Sequence, residues 1–238
     1  MLAAVGFLTP FGPARTPSPS TLRWFPFVGA AVGALVGIVW WASSKAWHGP
    51  LIPAALAVTT DLAVTGLLHV DGLADSADGL LAHLPRQRRL EVMSQPDVGA
   101  FGVAVTAAVI LLRFAAFGAS KPEIALVAGI WCVSRSLMVA GTTLLPYARA
   151  SGGLASAFLG GGRNASVAVT LAGVAAGTAL AVWGKGAPGA AAVAVGVAAA
   201  GAVLWLSWRR LGGFTGDVLG ATALLSETAA VVVAAARW

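Results

Sequence analysis

Apolar residues fall into seven long stretches along the chain, separated by short polar or Gly-rich segments. A transmembrane helix needs roughly 20 predominantly apolar residues to cross the hydrocarbon of a bilayer, and each stretch approaches that length. The pattern predicts an all-α, polytopic integral membrane bundle of about seven transmembrane helices, with residues 1–238 forming one membrane-embedded domain. The predicted spans are 25–44, 51–70, 98–119, 123–145, 166–183, 188–208 and 216–236.

Composition excludes an ordinary soluble domain. The 238 residues are 58% hydrophobic and only 10% charged, with a mean hydropathy of +0.85, whereas soluble domains carry about 25% charged residues. The one cysteine, Cys132, allows neither a disulfide framework nor a thiolate metal site. The net charge of +6 needs no nucleic-acid partner, because basic residues in membrane proteins usually mark cytoplasmic loops.

The basic residues also predict the orientation of the chain. Four of them fall on one side of the predicted bundle, and nine fall on the other. Loops rich in Lys and Arg stay in the cytoplasm, so we expect a cytoplasmic N-terminus and an acidic segment, 69–99, on the cytoplasmic side of the cell membrane. The nine are Arg15, Arg23, Arg86, Arg88, Arg89, Arg149, Arg163, Arg209 and Arg210.

Two features inside the predicted spans bear on helix packing. Gly29, Gly33 and Gly37 recur at every fourth position, a spacing that lets membrane helices approach closely. Arg113 and Arg135 lie within spans, where a charged group is costly and normally has a functional partner. The mid-span Asp61 is the expected partner or a further acid of the site. These residues, together with Glu227, also allow a rival interpretation, a transporter with a mid-membrane polar path.

The most unusual segment is HVDGLADSADGLLAH, residues 69–83. Asp71, Asp75 and Asp78 stand at i, i+4 and i+7, which places them along one face of a helix. Three close carboxylates repel one another unless a cation holds them, and oxygen ligands favour Mg²⁺ or Mn²⁺. One of the three can instead be a helix cap. Zinc is less favoured, although His69 and His83 flank the cluster.

A second polar segment, GGFTGDVLGA, precedes the last predicted span at residues 212–221. Glycines let the backbone approach a phosphate closely, and a helix N-terminus favours anions. Asp217 can add a metal ligand here. The alternative is a Gly-rich turn in which Asp217 is an ordinary helix cap, and spacing alone does not decide between the two.

These motifs resemble those of the cobalamin synthase family. The resemblance covers nearly the whole chain and rests mainly on GLLHVDGLADSADGL (66–80) and GGFTGDVLGA (212–221), with weaker support from LRWFPFVGAAVG (22–33), VGAFG (98–102) and LPYAR (145–149). It implies an integral membrane enzyme in which a ribose hydroxyl of α-ribazole, or of its 5′-phosphate, attacks the cobinamide-linked phosphorus of adenosylcobinamide-GDP. GMP would leave, with assistance from Mg²⁺. The chain departs from the family at MSQPDVG, where Gln95 stands in the usual acidic place and Asp97 follows two positions later.

The motifs and the resemblance together define an expected site. The predicted metal ligands are Asp71, Asp75, Asp78 and Asp217, and the predicted base is Asp78 or Asp97. Expected partners are the two small-molecule substrates and membrane lipid, and a homo-oligomer remains open. The residues predicted to contact substrate or phosphate are His69, Gly72, Gly79, Arg113, Arg149, Gly213, Thr215 and Gly216.

Overall fold

The structure, a computed structural model, describes residues 1–12, 16–150 and 152–238, apart from the side chain of Leu154, and most of these residues are helical. Arg15, one of the nine basic residues used to predict orientation, lies outside them. The described part contains no strand, so the predicted all-α class is confirmed. Its α-helices are α1 (Leu2–Leu8), α2 (Phe25–Ala46), α3 (Leu51–Val64), α4 (Leu68–Leu81), α5 (Arg86–Val92), α6 (Ala100–Ala119), α7 (Ile124–Leu144), α8 (Arg163–Leu211) and α9 (Gly216–Ala234), with short 3-10 helices at Pro19–Trp24 and Leu154–Phe158.

Within these ranges, five helical stretches are long and apolar enough to cross a membrane, and the α3–α4 pair makes a sixth if it is counted as one span. The helix α8 contains two of the predicted spans, 166–183 and 188–208. A continuous helix of its 49 residues would be about 73 Å long, more than twice the roughly 30 Å of bilayer hydrocarbon. The backbone leaves helical geometry at Gly186, with φ of 60° and ψ of −140°. The part before this break packs on α7 through Gly177, and the part after it packs on α9 through Gly196.

The predicted span 51–70 is interrupted by a sharp turn. The helix α3 ends at Val64, Gly66 and Leu67 adopt left-handed φ values of 58° and 61°, and α4 leaves at an angle of 87° to α3. Each helix has 14 residues, or about 21 Å, which is shorter than the hydrocarbon core. The acidic segment is therefore a separate helix rather than the straight continuation of a span.

The helix α7 is the centre of the bundle, and α2 packs on it through the predicted glycine face. A side-chain carbon at Gly33 would lie 2.7 Å from the Cβ of Trp131, and one at Gly37 would lie 2.9 Å from the Cα of Ile124. Contacts this short exclude any larger residue without helix movement. The expected close packing through Gly29, Gly33 and Gly37 is thus present.

Candidate functional site

The acidic helix α4 and the last helix α9 meet at a glycine. A Cβ at Gly72 would lie 2.8 Å from the carbonyl oxygen of Asp217, so the two backbones are in direct contact there. Asp71 is exposed and Asp75 is half-buried on α4, next to the first turn of α9. The glycine therefore brings Asp217, which lies far away in sequence, beside the α4 carboxylates.

A backbone pairing places the loop after α7 against the loop before α9. The amide of Ala148 donates to the carbonyl of Phe214 at 2.9 Å, and the amide of Phe214 donates to the carbonyl of Pro146 at 2.9 Å. Gly213 lies against the Pro146 carbonyl, where a side chain has no room. Its role here is to permit this pairing, which fixes Arg149 next to the start of α9.

The start of α9 is capped by Thr215, whose hydroxyl accepts a hydrogen bond from the amide of Val218 at 3.2 Å. The same hydroxyl lies 3.2 Å from Oδ2 of Asp217 and donates to it. The sequence left open whether Asp217 is a metal ligand or an ordinary helix cap. The structure shows that Thr215, and not Asp217, supplies the cap. The Asp217 carboxylate therefore accepts hydrogen bonds from Thr215 and Arg149 and does not cap the helix.

Arg149 pairs with Asp217 and is also held by two further partners, Met93 and Ser94. Its Nη2 donates to Oδ2 of Asp217 at 3.0 Å and to the carbonyl of Met93 at 3.2 Å, and its Nη1 donates to the hydroxyl of Ser94 at 2.9 Å. About a fifth to a quarter of each side chain in the pair remains exposed, 22% for Arg149 and 25% for Asp217. The cation is thus positioned by the protein but still accessible to a ligand.

These groups line a cleft of about 220 Å³. Its lining combines charged and polar groups with apolar side chains such as Phe7, Met138 and Leu219. His69, only 2% exposed, has no hydrogen-bond partner for its Nε2 among the described residues. The predicted site residues that line the cleft are His69, Asp71, Arg149, Gly216 and Asp217.

The acidic groups Asp71, Asp75 and Asp217 near the cleft outnumber the one arginine, Arg149, that lines it. Burial, and then the neighbouring carboxylates of Asp217 and Asp71, raise the pKa of Asp75 to about 7, against the opposing effect of Arg149. No described residue donates a hydrogen bond to the side chain of Asp71 or Asp75, and Asp217 uses only Oδ2. Oxygen donors of this kind suit Mg²⁺. In the described ranges no group of three or more Asp, Glu, His or Cys residues is gathered closely enough to hold a metal ion.

Asp78 has a different environment from the other two acids of α4. Its Oδ2 accepts from the amide of Gly99 at 2.7 Å, its Oδ1 accepts from the amide of Gly102 at 2.9 Å, and the residue is only 8% exposed. These are unpaired amides at the start of α6, so Asp78 caps that helix from a neighbouring one. The cap that the sequence allowed for one of the three acids is thus Asp78, and Asp71, Asp75 and Asp217 remain as metal-ligand candidates.

Three further predicted residues lie away from the cleft. Gly79 lies against the side chain of Met93, where it permits close packing of α4 and α5. Asp97 is exposed in the loop before α6 and does not line the cleft. Arg113 is 1% exposed and already bound to two carboxylates, so the structure does not bring it to the phosphate-binding position expected for it.

Arg113 belongs to a buried, charge-balanced cluster. It donates to Asp61 at 2.7 Å and to Glu227 at 3.1 Å, and Arg135 also pairs with Glu227. The expected pairing of Arg113 with Asp61 is therefore present. All four side chains are at most 3% exposed, and each is paired with an opposite charge inside the cluster, an arrangement that does not support the rival interpretation of a mid-membrane transport path.

Sequence patterns did not indicate the role of the basic run at 86–89. Arg86 donates to the carbonyl of Leu211 at 2.6 Å, and Arg89 donates to the carbonyls of Gly79 and Leu80 at 2.6 and 3.0 Å. These carbonyls belong to the last turns of α8 and α4, where cations are stabilising. The run thus fixes α5 against two helix ends beside the cleft, and no local signal in the sequence identifies those acceptors.

The fold and the cleft together define a class, a polytopic membrane protein with an acidic site that contains an arginine. The sequence model of one family, described as cobalamin-5-phosphate synthase, matches residues 1–235. The chain belongs to the cobalamin-5-phosphate synthase family, a family of transferases in cobalamin synthesis.

Curated relatives agree with this membership over most of their length. A protein of Chlorobaculum tepidum is 37% identical over 227 residues, covering 92% of this chain and 86% of the relative. A protein of Pseudomonas paraeruginosa is 36% identical over 247 residues, covering 99% and 97%. A third, of Bradyrhizobium diazoefficiens, is 36% identical over 229 residues, covering 94% and 86%. All three are named adenosylcobinamide-GDP ribazoletransferase. No solved structure matches the chain.

Proposed function

We propose that this chain is an adenosylcobinamide-GDP ribazoletransferase. A ribose hydroxyl of α-ribazole, or of its 5′-phosphate, attacks the phosphorus next to cobinamide in adenosylcobinamide-GDP. The new O–P bond forms as the P–O bond to the GMP part breaks, and the hydroxyl proton passes to a carboxylate of the cleft. The products are GMP and adenosylcobalamin or its 5′-phosphate.

The observation that carries the proposal is the pairing of Arg149 with Asp217 next to Asp71 and Asp75. Transfer between phosphates is catalysed mainly by positioning and by neutralising charge on the transferred group and the leaving group. Arg149 is fixed by Met93 and Ser94 and still partly exposed, so its guanidinium can bind diphosphate oxygens without first being ordered.

The acids of the cleft provide the other half of the electrostatics. The described acids are not gathered closely enough to hold a metal ion by themselves. We propose that Asp71, Asp75 and the free Oδ1 of Asp217, which lack protein donors, would hold Mg²⁺, or alternatively Mn²⁺, together with phosphate oxygens of the substrate. The cation would polarise the phosphoryl oxygens and neutralise charge on the departing GMP. Gly72 and Thr215 act indirectly, because they place and direct the Asp217 carboxylate.

We further propose that the cleft opens on the cytoplasmic side of the cell membrane, where nucleotide substrates are available. The arginine-rich segment around α5 lies beside the cleft, and segments of this composition remain in the cytoplasm. Membrane lipid surrounds the bundle, and a homo-oligomer is compatible with this arrangement.

The proposal is tested with purified protein in detergent or vesicles, given adenosylcobinamide-GDP and α-ribazole. We expect GMP and a cobalamin product in equal amounts, and no product after chelation of divalent cations until Mg²⁺ is restored. Folded wild-type protein that releases no GMP with either form of α-ribazole would overturn the activity. Release that is unchanged by chelation would overturn only the metal assignment.

A further inference from the structure

A second, larger cavity adjoins the cleft. Its volume is about 690 Å³, and it lies between α5 with the loop that follows it and the loop 146–150. Tyr147 and Arg149 line both this cavity and the cleft. A single extended ligand can therefore contact Arg149 while occupying both spaces.

The volumes of the two spaces indicate how much of such a ligand each one can hold. The cleft, at about 220 Å³, is smaller than the roughly 300–1,000 Å³ typical of small-molecule sites. A nucleotide-activated substrate whose diphosphate lies at Arg149 must therefore extend beyond the cleft. The adjoining cavity is within the typical range and begins at the same arginine.

The side chains of the second cavity indicate what it would recognise. They include the carboxylate of Glu91 and the amides of Gln87 and Gln95. Guanine presents N–H donors at N1 and N2, which suit a carboxylate, and acceptors at O6 and N7, which suit amide donors. The base of α-ribazole is largely apolar and would leave these groups unpaired, which is costly.

Glu91 is able to accept such donors. Its Oε2 bonds to Nη1 of Arg88 at 3.0 Å, and the two side chains are 46% and 52% exposed. An exposed pair of this kind contributes little and exchanges easily. Its Oε1 has no hydrogen-bond partner among the described residues.

We propose that the guanosine part of the GDP-activated substrate binds in this second cavity, with Glu91 accepting hydrogen bonds from N1 and N2 of guanine. Gln87 and Gln95 donate to O6 and N7, and Arg149 binds the phosphates where the two spaces meet. The assignment rests on the proposed function, and it makes α5 the element that selects the nucleotide.

The experiment measures binding of GMP, IMP and AMP to the purified full-length protein by calorimetry, with Mg²⁺ present. IMP lacks the N2 amino group, and AMP lacks both donors. A hydrogen bond to a charged group contributes about 1.5–3 kcal/mol, so we expect GMP to bind about tenfold or more tightly than IMP. AMP should bind more weakly still.

Variants distinguish loss of specific contacts with guanine from a general loss of nucleotide binding. Glu91→Gln should remove most of the preference for GMP over IMP, whereas Gln87→Ala with Gln95→Ala should weaken GMP and IMP together and leave their ratio unchanged. Glu123→Gln, a matched change outside both spaces, should bind like the wild type. Each variant is checked by its thermal transition before titration.

The subsite would be overturned if the wild-type protein binds GMP and IMP equally or binds neither. It would also be overturned if the Glu91→Gln variant keeps the full preference for GMP over IMP. The turnover assay tests the proposed function separately from these binding results. GMP release without base selectivity would remove the subsite and leave the proposed function intact, whereas absent release in folded protein would remove the function itself.

Discussion

Arg149 donates to the carboxylate of Asp217 at 3.0 Å across 68 positions of sequence. The pair joins the loop after α7 to the first turn of α9, and α4 presents Asp71 and Asp75 beside it. A backbone pairing and a glycine contact thereby bring Arg149, Asp71 and Asp217 together in the cleft, with Asp75 beside them. The structure gives rise to five predictions besides the nucleotide test.

The geometry of the Arg149 guanidinium, and not only its charge, should matter. Its two terminal nitrogens contact different partners, which an ammonium group on a flexible stem cannot reproduce. We expect Arg149→Lys to lower kcat for GMP release by about a hundredfold or more. Arg209→Lys, on an exposed residue of α8, is the control and should keep wild-type kcat. Near-normal turnover in Arg149→Lys would refute the positioning role.

Asp78 should behave as a helix cap. Removing its carboxylate leaves two amides of α6 without their acceptor, so Asp78→Ala should lower the free energy of unfolding by about 1–3 kcal/mol. Asp71→Asn, on an exposed side chain, should abolish turnover with little change in stability. Thermal unfolding and GMP release are measured on both variants. An Asp78→Ala variant that keeps its stability but loses turnover would return Asp78 to the set of metal ligands.

Gly72 should be sensitive to a single methyl group. A Cβ there would lie 2.8 Å from the carbonyl oxygen of Asp217, so Gly72→Ala must push α4 away from α9. Displacements of about 1 Å at a catalytic group can cost up to a hundredfold in rate, and we expect kcat to fall by at least tenfold. At Gly118 the nearest atom would be 3.8 Å away, so Gly118→Ala is the control. Equal rates in the two variants would show that this contact does not position Asp217.

The buried cluster should be structural and should depend on its charge balance. Asp61→Asn leaves Arg113 with less negative charge in a buried setting, a change that costs about 3–5 kcal/mol. The double variant Asp61→Asn, Arg113→Met should recover part of that loss. Denaturant unfolding in mixed micelles measures both. A double variant less stable than Asp61→Asn alone would contradict the pairing.

Much of the fold could be predicted because membrane spans have a strong length and hydropathy signal. The break in α8 was anticipated by the gap between two apolar stretches, and it falls at Gly186. The bend before α4 was not anticipated, because the predominantly apolar residues 51–70 match the length of one span, and Leu67 is not a residue type that favours a left-handed conformation.

The site was only partly predictable for a related reason. Helical spacing correctly placed Asp71, Asp75 and Asp78 on one helix, but the acceptor role of Asp78 depends on amides 21 and 24 residues later. Arg113 was expected at a phosphate because a buried arginine needs an anion, and the structure supplies that anion as Asp61 and Glu227. Local spacing shows which groups need partners, and only the tertiary structure determines which partners they find.

The most direct test of the acidic cleft is GMP release by Asp75→Asn compared with Glu123→Gln under saturating substrates and Mg²⁺. Both changes replace a carboxylate by its amide, but only Asp75 neighbours the carboxylates of Asp71 and Asp217. We expect Asp75→Asn to lose at least a hundredfold in kcat, about 3 kcal/mol of transition-state stabilisation, while Glu123→Gln keeps the wild-type rate and both remain folded. Wild-type turnover in folded Asp75→Asn would contradict the assignment of this cleft as the site of transfer.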